Sequence, residues 1–259
     1  MTDFIARYGP WAVVAGASEG IGAAFARALA QRGVKLLLVA RRREPLVGLA
    51  ERLPTETVPV VADLATEDGL AKVRSAAATR EVGLVVANAA YSPIGSFTRM
   101  SVDESLRALD LNCRALLHLA HDFLPAMAQR RRGGFVVMSS LAGLQGSPPI
   151  SVYAATKAFG TVLAEGLWAE LRGTGVDVVA CVAGAVQTPG LAESKAKRAP
   201  GTLEPDQVAA AALHGLGRGP RIVPGLAMRM SSALMSRLPR RIAIAIISRA
   251  SRDLSPPAR

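Results

Sequence analysis

Tyr153 and Lys157 stand four positions apart within residues 151–157, which read SVYAATK. If these residues form a helix, the two side chains lie one above the other on the same face. A nearby ammonium favours the phenolate and lowers the pKa of a tyrosine, which is about 10 in water. Such a tyrosine can act as an acid or base near neutral pH. The same spacing also occurs in ordinary helices, so other parts of the sequence must decide between the two interpretations.

A glycine-rich loop occupies residues 16–22 (GASEGIG), between an apolar run and a helical pattern. Glycine tolerates positive φ and lets a ligand approach the backbone closely. The first N–H groups of the following helix are free and carry a partial positive charge, which suits a pyrophosphate. A glycine cluster alone also fits a plain tight turn. Its place at the first strand–helix junction indicates nucleotide binding in a doubly wound fold.

Short apolar runs alternate with helical patterns along most of the chain. Runs that are apolar throughout are typical of parallel strands buried on both faces. We predict strands at residues 11–16, 34–40, 58–62, 84–87, 135–139, 176–182 and 221–223. We predict helices at residues 21–32, 44–53, 67–79, 101–129, 151–171 and 205–216. This order predicts a single-domain α/β protein, with one doubly wound parallel sheet of the Rossmann type and helices on both faces.

The composition is that of a globular protein rather than a disordered one. Of the 259 residues, 50% are hydrophobic and 20% are charged, and no run is as long as a membrane-spanning helix requires. Residues 1–10 show no signal-peptide pattern and are predicted to lead directly into the first strand. Two cysteines, Cys113 and Cys181, make no disulfide framework. We therefore expect a cytoplasmic protein.

Several features follow one another along the chain: the GxxxGxG loop at 16–22, Asn88 after the fourth strand, Ser140 at the end of the fifth, and Tyr153 with Lys157. Ser140 precedes Tyr153 by thirteen residues. This ordered set resembles the short-chain dehydrogenase/reductase family of the NADP type, with its YxxxK active site. The resemblance extends to about residue 223 and implies an oxidoreductase that interconverts a ketone or aldehyde and its alcohol. The chain departs from the family's usual Thr, Gly and Pro at Ala15, Ala90 and Ala183.

The resemblance implies a catalytic role for four residues. Tyr153 would donate a proton in reduction and accept one in oxidation. Lys157 would lower the pKa of that tyrosine and hold the ribose of the nicotinamide. Ser140 would hydrogen-bond the substrate oxygen, in preference to its neighbour Ser139. Asn112, which by sequence alone could be an exposed helical residue, would disturb its helix and hold a water that connects Lys157 to solvent.

The residues after the second predicted strand indicate which nicotinamide cofactor binds. An acid at this point selects NAD through the ribose 2′-hydroxyl, whereas an arginine accommodates the 2′-phosphate of NADP. The chain reads Ala40-Arg41-Arg42-Arg43 there, with no acid until Glu44. A guanidinium is always charged and matches phosphate oxygens. We predict NADP(H) as the cofactor, with Arg41 as the main contact and Arg42 assisting.

Further cofactor contacts follow from the glycine loop and from the resemblance. The loop contributes Gly16, Ser18, Glu19, Gly20, Ile21 and Gly22. By resemblance, the others are Asp63 and Leu64 beside the adenine, Asn88 and Ala89 along the adenosine ribose, Val186 and Thr188 at the carboxamide, and Tyr153 and Lys157.

His118 and His121 lie three apart on a predicted helix and could form part of a metal site. No third ligand stands near them in the sequence, and the proposed chemistry needs no metal. We interpret both histidines as packing or interface residues and expect no metal.

The net charge of +11 is concentrated in the C-terminal tail. Residues 225–259 contain seven arginines, one acid and no lysine. A local excess argues against a basic groove that spans the fold, so we expect no nucleic-acid partner. We divide the chain into a short-chain dehydrogenase/reductase catalytic domain at residues 1–224 and a basic amphipathic extension at residues 225–259.

Two segments of the sequence each fit more than one interpretation. Residues 189–203 are polar and basic, and the resemblance implies a mobile flap that becomes ordered over the substrate, although a simple loop is the alternative. Residues 226–238 and 241–252 are helical in pattern, and the second of them places arginines on one face and apolar residues on the other. Such a helix suits an anionic membrane interface, as a peripheral contact. It equally suits packing on the domain or on a neighbouring subunit.

We expect a small carbonyl or alcohol substrate of apolar character, and a homodimer or homotetramer. One alternative is a non-catalytic NADP-binding sensor or scaffold on the same fold, and another is nucleic-acid binding through the basic tail. The joint presence of Asn112, Ser140, Tyr153 and Lys157 favours an enzyme, because a binding module has no need of all four.

Overall fold

The computed structural model describes residues 2–188 and 201–250. The strands are β1 Trp11–Ala15, β2 Lys35–Ala40, β3 Thr57–Val61, β4 Val82–Ala87, β5 Gly133–Ser140, β6 Val176–Ala183 and β7 Arg221–Ile222. The helices are α1 Thr2–Tyr8, α2 Gly20–Ala30, α3 Arg43–Ala50, α4 Glu67–Ala77, α5 Val102–Leu109, α6 Ala115–Arg130, α7 Ser151–Glu170, α8 Pro205–Gly215, α9 Leu226–Met235 and α10 Arg240–Ala250. The predicted strands and helices are thus present, close to their predicted bounds.

All seven strands form one parallel sheet in the order β3-β2-β1-β4-β5-β6-β7. The structure confirms the predicted α/β class and the doubly wound topology. Chain connections run in opposite directions on the two sides of β1 and β4, so the loops that follow these two strands diverge and leave a crevice at their carboxyl ends. Any ligand site of this fold is expected at that edge of the sheet.

The sheet is apolar on both faces, which is why helices cover both of them. Val14 lies in the same hydrophobic core as Phe25 of α2 on one face, and its neighbour Val13 lies in the same core as Leu116 of α6 on the other. The alternation follows from the period of two along a strand. Val13, Val14 and Phe25 have no exposed surface. Each face therefore supplies one hydrophobic core.

Helix α1 was not predicted, since residues 1–10 were expected to lead directly into the first strand. It is seven residues long, too short for a helical period to be visible in the sequence. Long-range contacts hold it in place. The Tyr8 hydroxyl donates to Asp177 Oδ2 at 2.7 Å, and Arg7 pairs with the same carboxylate at 2.7 Å.

The long helix predicted at 101–129 is divided into α5 and α6 by a π-helical segment, Asp110–Arg114. Its beginning is clear in the sequence, because Ser101 and Glu104 form a capping box at the start of α5. A π-helical segment inserts an extra residue into a turn and changes the direction of the side chains around it. Here the segment contains Asn112, which is buried.

The C-terminal helices pack on the domain. Arg240 donates from Nη1 to the Leu144 carbonyl at 2.9 Å, and Ala243 is buried. A Cβ at Gly184 would lie 2.7 Å from Met228 Sδ, so α9 also reaches the end of β6. Most of the expected flap, residues 189–200, and the end of the tail lie outside the described residues. Within the described ranges, no helix combines the length and apolar character that crossing a membrane requires.

Candidate active site

A cleft of about 630 Å³ lies at the carboxyl ends of the strands, at the crevice between β1 and β4. It brings together residues that are far apart in the sequence, from the glycine loop to the end of β6. Two of the predicted site residues, Gly22 and Asn112, do not line it. The predicted residues that do are Gly16, Ser18, Glu19, Gly20, Ile21, Arg41, Arg42, Asp63, Leu64, Asn88, Ala89, Ser140, Tyr153, Lys157, Val186 and Thr188.

The glycine loop leaves the start of α2 open toward the cleft. Gly16 has a φ of +74°, which disfavours other residues, and α2 begins at Gly20 with no side-chain cap from Glu19. Gly22 packs directly on the loop, since a Cβ there would lie 2.0 Å from the Gly16 carbonyl oxygen. The uncapped N–H groups and the helix dipole therefore form a position suited to an anion.

Asn88 joins the loop to the end of β4. Its Nδ2 donates to the carbonyl oxygens of Ala15 and Gly16, at 3.1 and 3.2 Å. These two hydrogen bonds fix the start of the glycine loop against the end of β4. Its placement within hydrogen-bond reach of Gly16 connects two predicted contacts that are 72 residues apart.

The two arginines after β2 are in different environments. Arg42 pairs with Glu19 of the glycine loop at 2.5 Å, whereas Arg41 is exposed and has no ion pair or side-chain hydrogen bond with any described residue. Arg41 lies close enough to Asp63 to lower the pKa of that carboxyl. The Arg42 guanidinium is therefore engaged, whereas that of Arg41 is unpaired among the described residues.

Asp63 is held by several donors at the edge of the cleft. Its Oδ1 accepts from the Ala65 N–H at 3.1 Å, and its Oδ2 accepts from Arg107 at 2.9 Å. Partial burial raises the pKa of Asp63, but these two hydrogen bonds and the nearby guanidinium groups outweigh it. The pKa therefore lies below its ordinary value, and the carboxylate is charged at neutral pH.

Lys157 is a buried ammonium on α7. Its Nζ donates to the Met138 carbonyl at 2.7 Å and lies 5.6 Å from the centre of the Tyr153 ring. Burial lowers the pKa of Lys157 to about 8, because desolvation disfavours the charged form. A buried lysine of this kind, in a cleft beside a tyrosine, is typical of a functional site.

The pKa of Tyr153 differs from the expectation. Burial raises it, and the hydrogen bond with Ser140 opposes this without overcoming it. Lys157 does not lower this pKa as expected; its ammonium donates instead to the Met138 carbonyl. The phenol is therefore protonated in this structure at neutral pH.

The two serines at the end of β5 have different surroundings. Ser139 is buried, and its hydroxyl bonds to the Lys157 carbonyl at 2.8 Å and to Thr161 Oγ1 at 2.7 Å. Ser140 is half-buried, and its Oγ accepts from the Ala142 N–H at 3.2 Å. Ser139 therefore joins the strand to α7, while Ser140 is the hydroxyl next to Tyr153.

Asn112 uses every polar atom of its side chain. Its Nδ2 donates to the Tyr91 carbonyl and to Thr156 Oγ1, at 2.8 and 2.9 Å, and its Oδ1 accepts from the Tyr91 N–H at 2.8 Å. A separate cavity of about 20 Å³ is bordered by Asn112 and Lys157. That volume is sufficient for one water molecule.

Several cleft residues were not predicted from the sequence. They come mainly from the loops after β4 and β5 and from the strand ends, where no period or motif marks them. Four of them are large and apolar: Ile94, Leu111, Met138 and Ile150. Ile150 stands directly before α7 and one turn from Tyr153, so its burial could have been inferred from the sequence. Its contact with the cleft could not.

Comparisons with known proteins agree with this geometry. The model of the short chain dehydrogenase family matches residues 10–199. The chain is 32% identical to a 7beta-hydroxysteroid dehydrogenase of Clostridium sardiniense over 191 residues, covering 72% of this chain and 73% of that protein. Other curated relatives match over less of their own length, such as a human protein named inactive hydroxysteroid dehydrogenase-like protein 1, of which this chain spans 50% at 34% identity.

Solved structures show the same fold. One from a study of 7beta-hydroxysteroid dehydrogenase stereoselectivity has a TM-score of 0.88 at 26% identity, covering 94% of this chain and 98% of that one. A short-chain dehydrogenase from Sphingobium yanoikuyae in complex with NADPH has a TM-score of 0.77 at 31% identity, with coverage of 90% and 97%. The chain therefore belongs to the short-chain dehydrogenase family of oxidoreductases.

Replacing Lys157 with methionine is expected to change how stability depends on pH. The folded-state pKa of about 8 is below the ordinary value of 10.5, so the unfolded chain binds more protons between these values. The wild type should therefore gain stability as pH rises from 8 to 10.5, on the order of 1–3 kcal/mol relative to Lys157→Met. The free energy of unfolding, measured by urea denaturation across this range, tests this.

The comparison of the two proteins isolates Lys157, because all other groups titrate in both. Lys72→Met is the matched control, since Lys72 is exposed and pairs only with Asp68 on its own helix. Its free energy of unfolding should rise with pH in parallel with that of the wild type, because Lys157 is retained. Parallel curves for the wild type and Lys157→Met would contradict the depressed pKa.

Proposed function

We propose that this protein is an NADP(H)-dependent oxidoreductase that interconverts a ketone or an aldehyde and the corresponding alcohol. The proposal rests above all on the meeting of Ser140, Tyr153 and Lys157 in the cleft that also contains the glycine loop. A nicotinamide cofactor bound there would supply or accept the hydride. The chain itself would bind and orient both reactants and move the proton.

Tyr153 is the group that would move the proton. Because burial raises its pKa, the phenol carries its proton at neutral pH, as a donor to a developing alkoxide must. Ser140 would hold the substrate oxygen beside that phenol, so the transfer would take place over a hydrogen-bond distance. In the oxidation direction, the phenolate would have to form first, which favours alkaline pH.

Lys157 and Asn112 would restore the proton to Tyr153. The cavity between them has room for one water molecule, which would connect the Lys157 ammonium to solvent. The full hydrogen bonding of Asn112 would hold that cavity open by fixing the π-helical segment against α7. Lys157 would also contact the nicotinamide ribose.

Two features support a phosphorylated dinucleotide as the cofactor. The glycine loop provides uncapped N–H groups and close backbone approach for the pyrophosphate, and Arg41 is available for the 2′-phosphate. The similar Sphingobium enzyme is known in complex with NADPH. Asp63 and Leu64 would flank the adenine, Asn88 and Ala89 would lie along its ribose, and Val186 and Thr188 would contact the carboxamide.

An apolar substrate fits the remaining surface of the cleft. The large apolar side chains Ile94, Leu111 and Ile150 line the same cleft as the proposed catalytic residues. The similarity to a hydroxysteroid dehydrogenase makes steroid ketones a suitable first class of compounds to screen. The alternative of a non-catalytic NADP sensor would use the same loop, and turnover with any carbonyl compound distinguishes the two.

Replacing Tyr153 with phenylalanine should lower turnover by roughly 10²–10⁴-fold, because the hydroxyl proposed to donate the proton is removed. NADPH binding should remain nearly unchanged, since the ring and Lys157 are kept. Steady-state oxidation of NADPH with a carbonyl substrate, together with a fluorescence titration of NADPH, measures both.

Tyr8→Phe is the matched control for that substitution. It removes a hydroxyl that donates to Asp177 and does not line the cleft, so it should cost about 1 kcal/mol of stability and leave turnover intact. Normal turnover by the Tyr153→Phe protein would exclude the proposed role of Tyr153.

Replacing Arg41 with aspartate should weaken NADPH binding by about 100-fold or more, because a charge-assisted contact is lost and a repulsion is added. NADH has no 2′-phosphate and should bind almost as before. Arg99→Asp, at an exposed residue outside the cleft, makes the same charge change and should affect neither cofactor. Equal losses for both cofactors in Arg41→Asp would disprove a role in selecting the phosphate.

We also propose that the protein forms a homodimer, or a homotetramer built from such dimers. Helices α5 and α7 lie against each other and expose a group of apolar side chains that nothing in the described chain covers. They are Val102, Leu106, Leu109, Phe159 and Val162. A surface of this kind supports a protein–protein contact.

Introducing arginine at Leu106 and Val162 together should convert the oligomer into a monomer, because each subunit would bury two charges at the interface. Sedimentation velocity measures the mass directly. Leu226→Arg is the control, since Leu226 is equally apolar and 67% exposed but lies on α9. A wild type that sediments as a monomer at micromolar concentration would contradict the proposal.

We further propose a cytoplasmic location, which the two free thiols Cys113 and Cys181 support. Peripheral contact with a membrane through the tail remains a proposal. Its support is the row Leu226, Met230 and Leu234, which is exposed along α9, together with the arginines of the tail.

A further inference from the structure

A second cleft, of about 780 Å³, lies between α8, β7 and α9. It shares no lining residue with the cofactor cleft. Four arginines and a histidine border it: Arg218, Arg221, Arg229, Arg237 and His214. No acidic side chain is among the described residues that line it. We refer to this cavity as the arginine cleft.

The positive charge of the arginine cleft is poorly compensated. The Arg221 guanidinium is 3.7 Å from Glu165, and Arg237 donates to the Ala233 carbonyl of its own helix. Arg218 and Arg229 have no ion pair or side-chain hydrogen bond with any described residue. Asp177, which lies near Gly217, is already engaged by Tyr8 and Arg7.

Neighbouring guanidinium groups repel one another, and a bound anion removes that repulsion. Guanidinium donors match phosphate oxygens in a planar, two-pronged geometry, which favours phosphate over a simple halide. Ser232 adds a hydroxyl group to the wall formed by α9, whereas the Ser236 hydroxyl already donates to the Ala233 carbonyl at 2.9 Å. Ile222, Val223 and Pro224 form an apolar floor, so the ligand can carry a carbon skeleton beside its phosphate.

We propose that the arginine cleft is a second binding site, which takes the phosphate group of an organic phosphate or pyrophosphate. This cleft is far from Arg41. Arg41 follows β2 on one side of the sheet, whereas the arginine cleft adjoins β7 at the opposite edge. The site therefore does not serve the 2′-phosphate of the cofactor.

Two sources could supply this phosphate. One is a soluble phosphate ester, and the other is the headgroup of an anionic lipid. Leu226, Met230 and Leu234 lie four residues apart on α9, which places them in one exposed row beside the cleft. A lipid surface would cover this row, whereas a small soluble ligand would not.

The test measures pyrophosphate binding to the full chain by isothermal titration calorimetry, with and without saturating NADPH. One site should remain when NADPH is present, because NADPH fills the other phosphate position. In Arg218→Gln/Arg229→Gln its affinity should fall by about tenfold or more. The matched pair Arg99→Gln/Arg249→Gln changes the net charge equally, lies outside the cleft, and should bind as the wild type does.

The arginine-to-lysine pair Arg218→Lys/Arg229→Lys keeps the charge and should keep part of the affinity, which separates loss of the site from loss of folding. Absence of binding, or equal weakening in both glutamine pairs, would overturn the proposal, since only diffuse attraction would then exist. A chain that binds pyrophosphate here but fails to bind NADPH would overturn the proposed function and leave this site standing.

Vesicles then distinguish the two sources. If the phosphate belongs to a lipid, the wild type should co-sediment with vesicles of phosphatidic acid and phosphatidylcholine but not of phosphatidylcholine alone. The Arg218→Gln/Arg229→Gln protein should lose this binding, and the Arg99→Gln/Arg249→Gln protein should keep it. Pyrophosphate binding without vesicle binding would assign the site to a soluble phosphate.

Discussion

The hydrogen bond from Lys157 Nζ to the Met138 carbonyl is the contact on which the arrangement of the site depends. It joins α7 to the end of β5, and these two elements carry Tyr153 and Ser140. The Ser139 hydroxyl also joins β5 to α7, through hydrogen bonds with the Lys157 carbonyl and the Thr161 hydroxyl. A buried ammonium costs stability, which is expressed in its lowered pKa. It lies at the position where we propose that a proton is moved.

Two further contacts attach the rest of the cleft to this junction. Asn112 ties the π-helical segment to Thr156 of α7, and so positions the wall behind Lys157. Asn88 ties the glycine loop to the end of β4, the strand beside β5. Since β1, β4 and β5 are adjacent in the sheet, the glycine loop and the proposed catalytic residues are held by a single frame.

Much of this could be predicted from the sequence because it depends on local patterns. The alternation of apolar runs and helices, the glycine loop and the Tyr153–Lys157 spacing are all visible in short windows. What could not be predicted depends on tertiary contacts: helix α1, the pairing of Arg42 with Glu19, and the apolar cleft residues in the loops. The direction of the Tyr153 pKa was wrong for the same reason. The spacing predicts that the ammonium lies near the ring, but it does not show that the phenol is buried, and burial is what raises the pKa.

We propose that this cleft transfers a hydride between NADP(H) and a carbonyl carbon. The most direct measurement supplies NADPH carrying deuterium on one or the other face of C4, with a panel of ketones that includes steroid ketones. Mass spectrometry of the products should find deuterium on the carbinol carbon from one face only, because a fixed cleft presents one face of the ring. Alcohol products without deuterium from either face, or no alcohol from any ketone while NADPH is bound, would contradict the account.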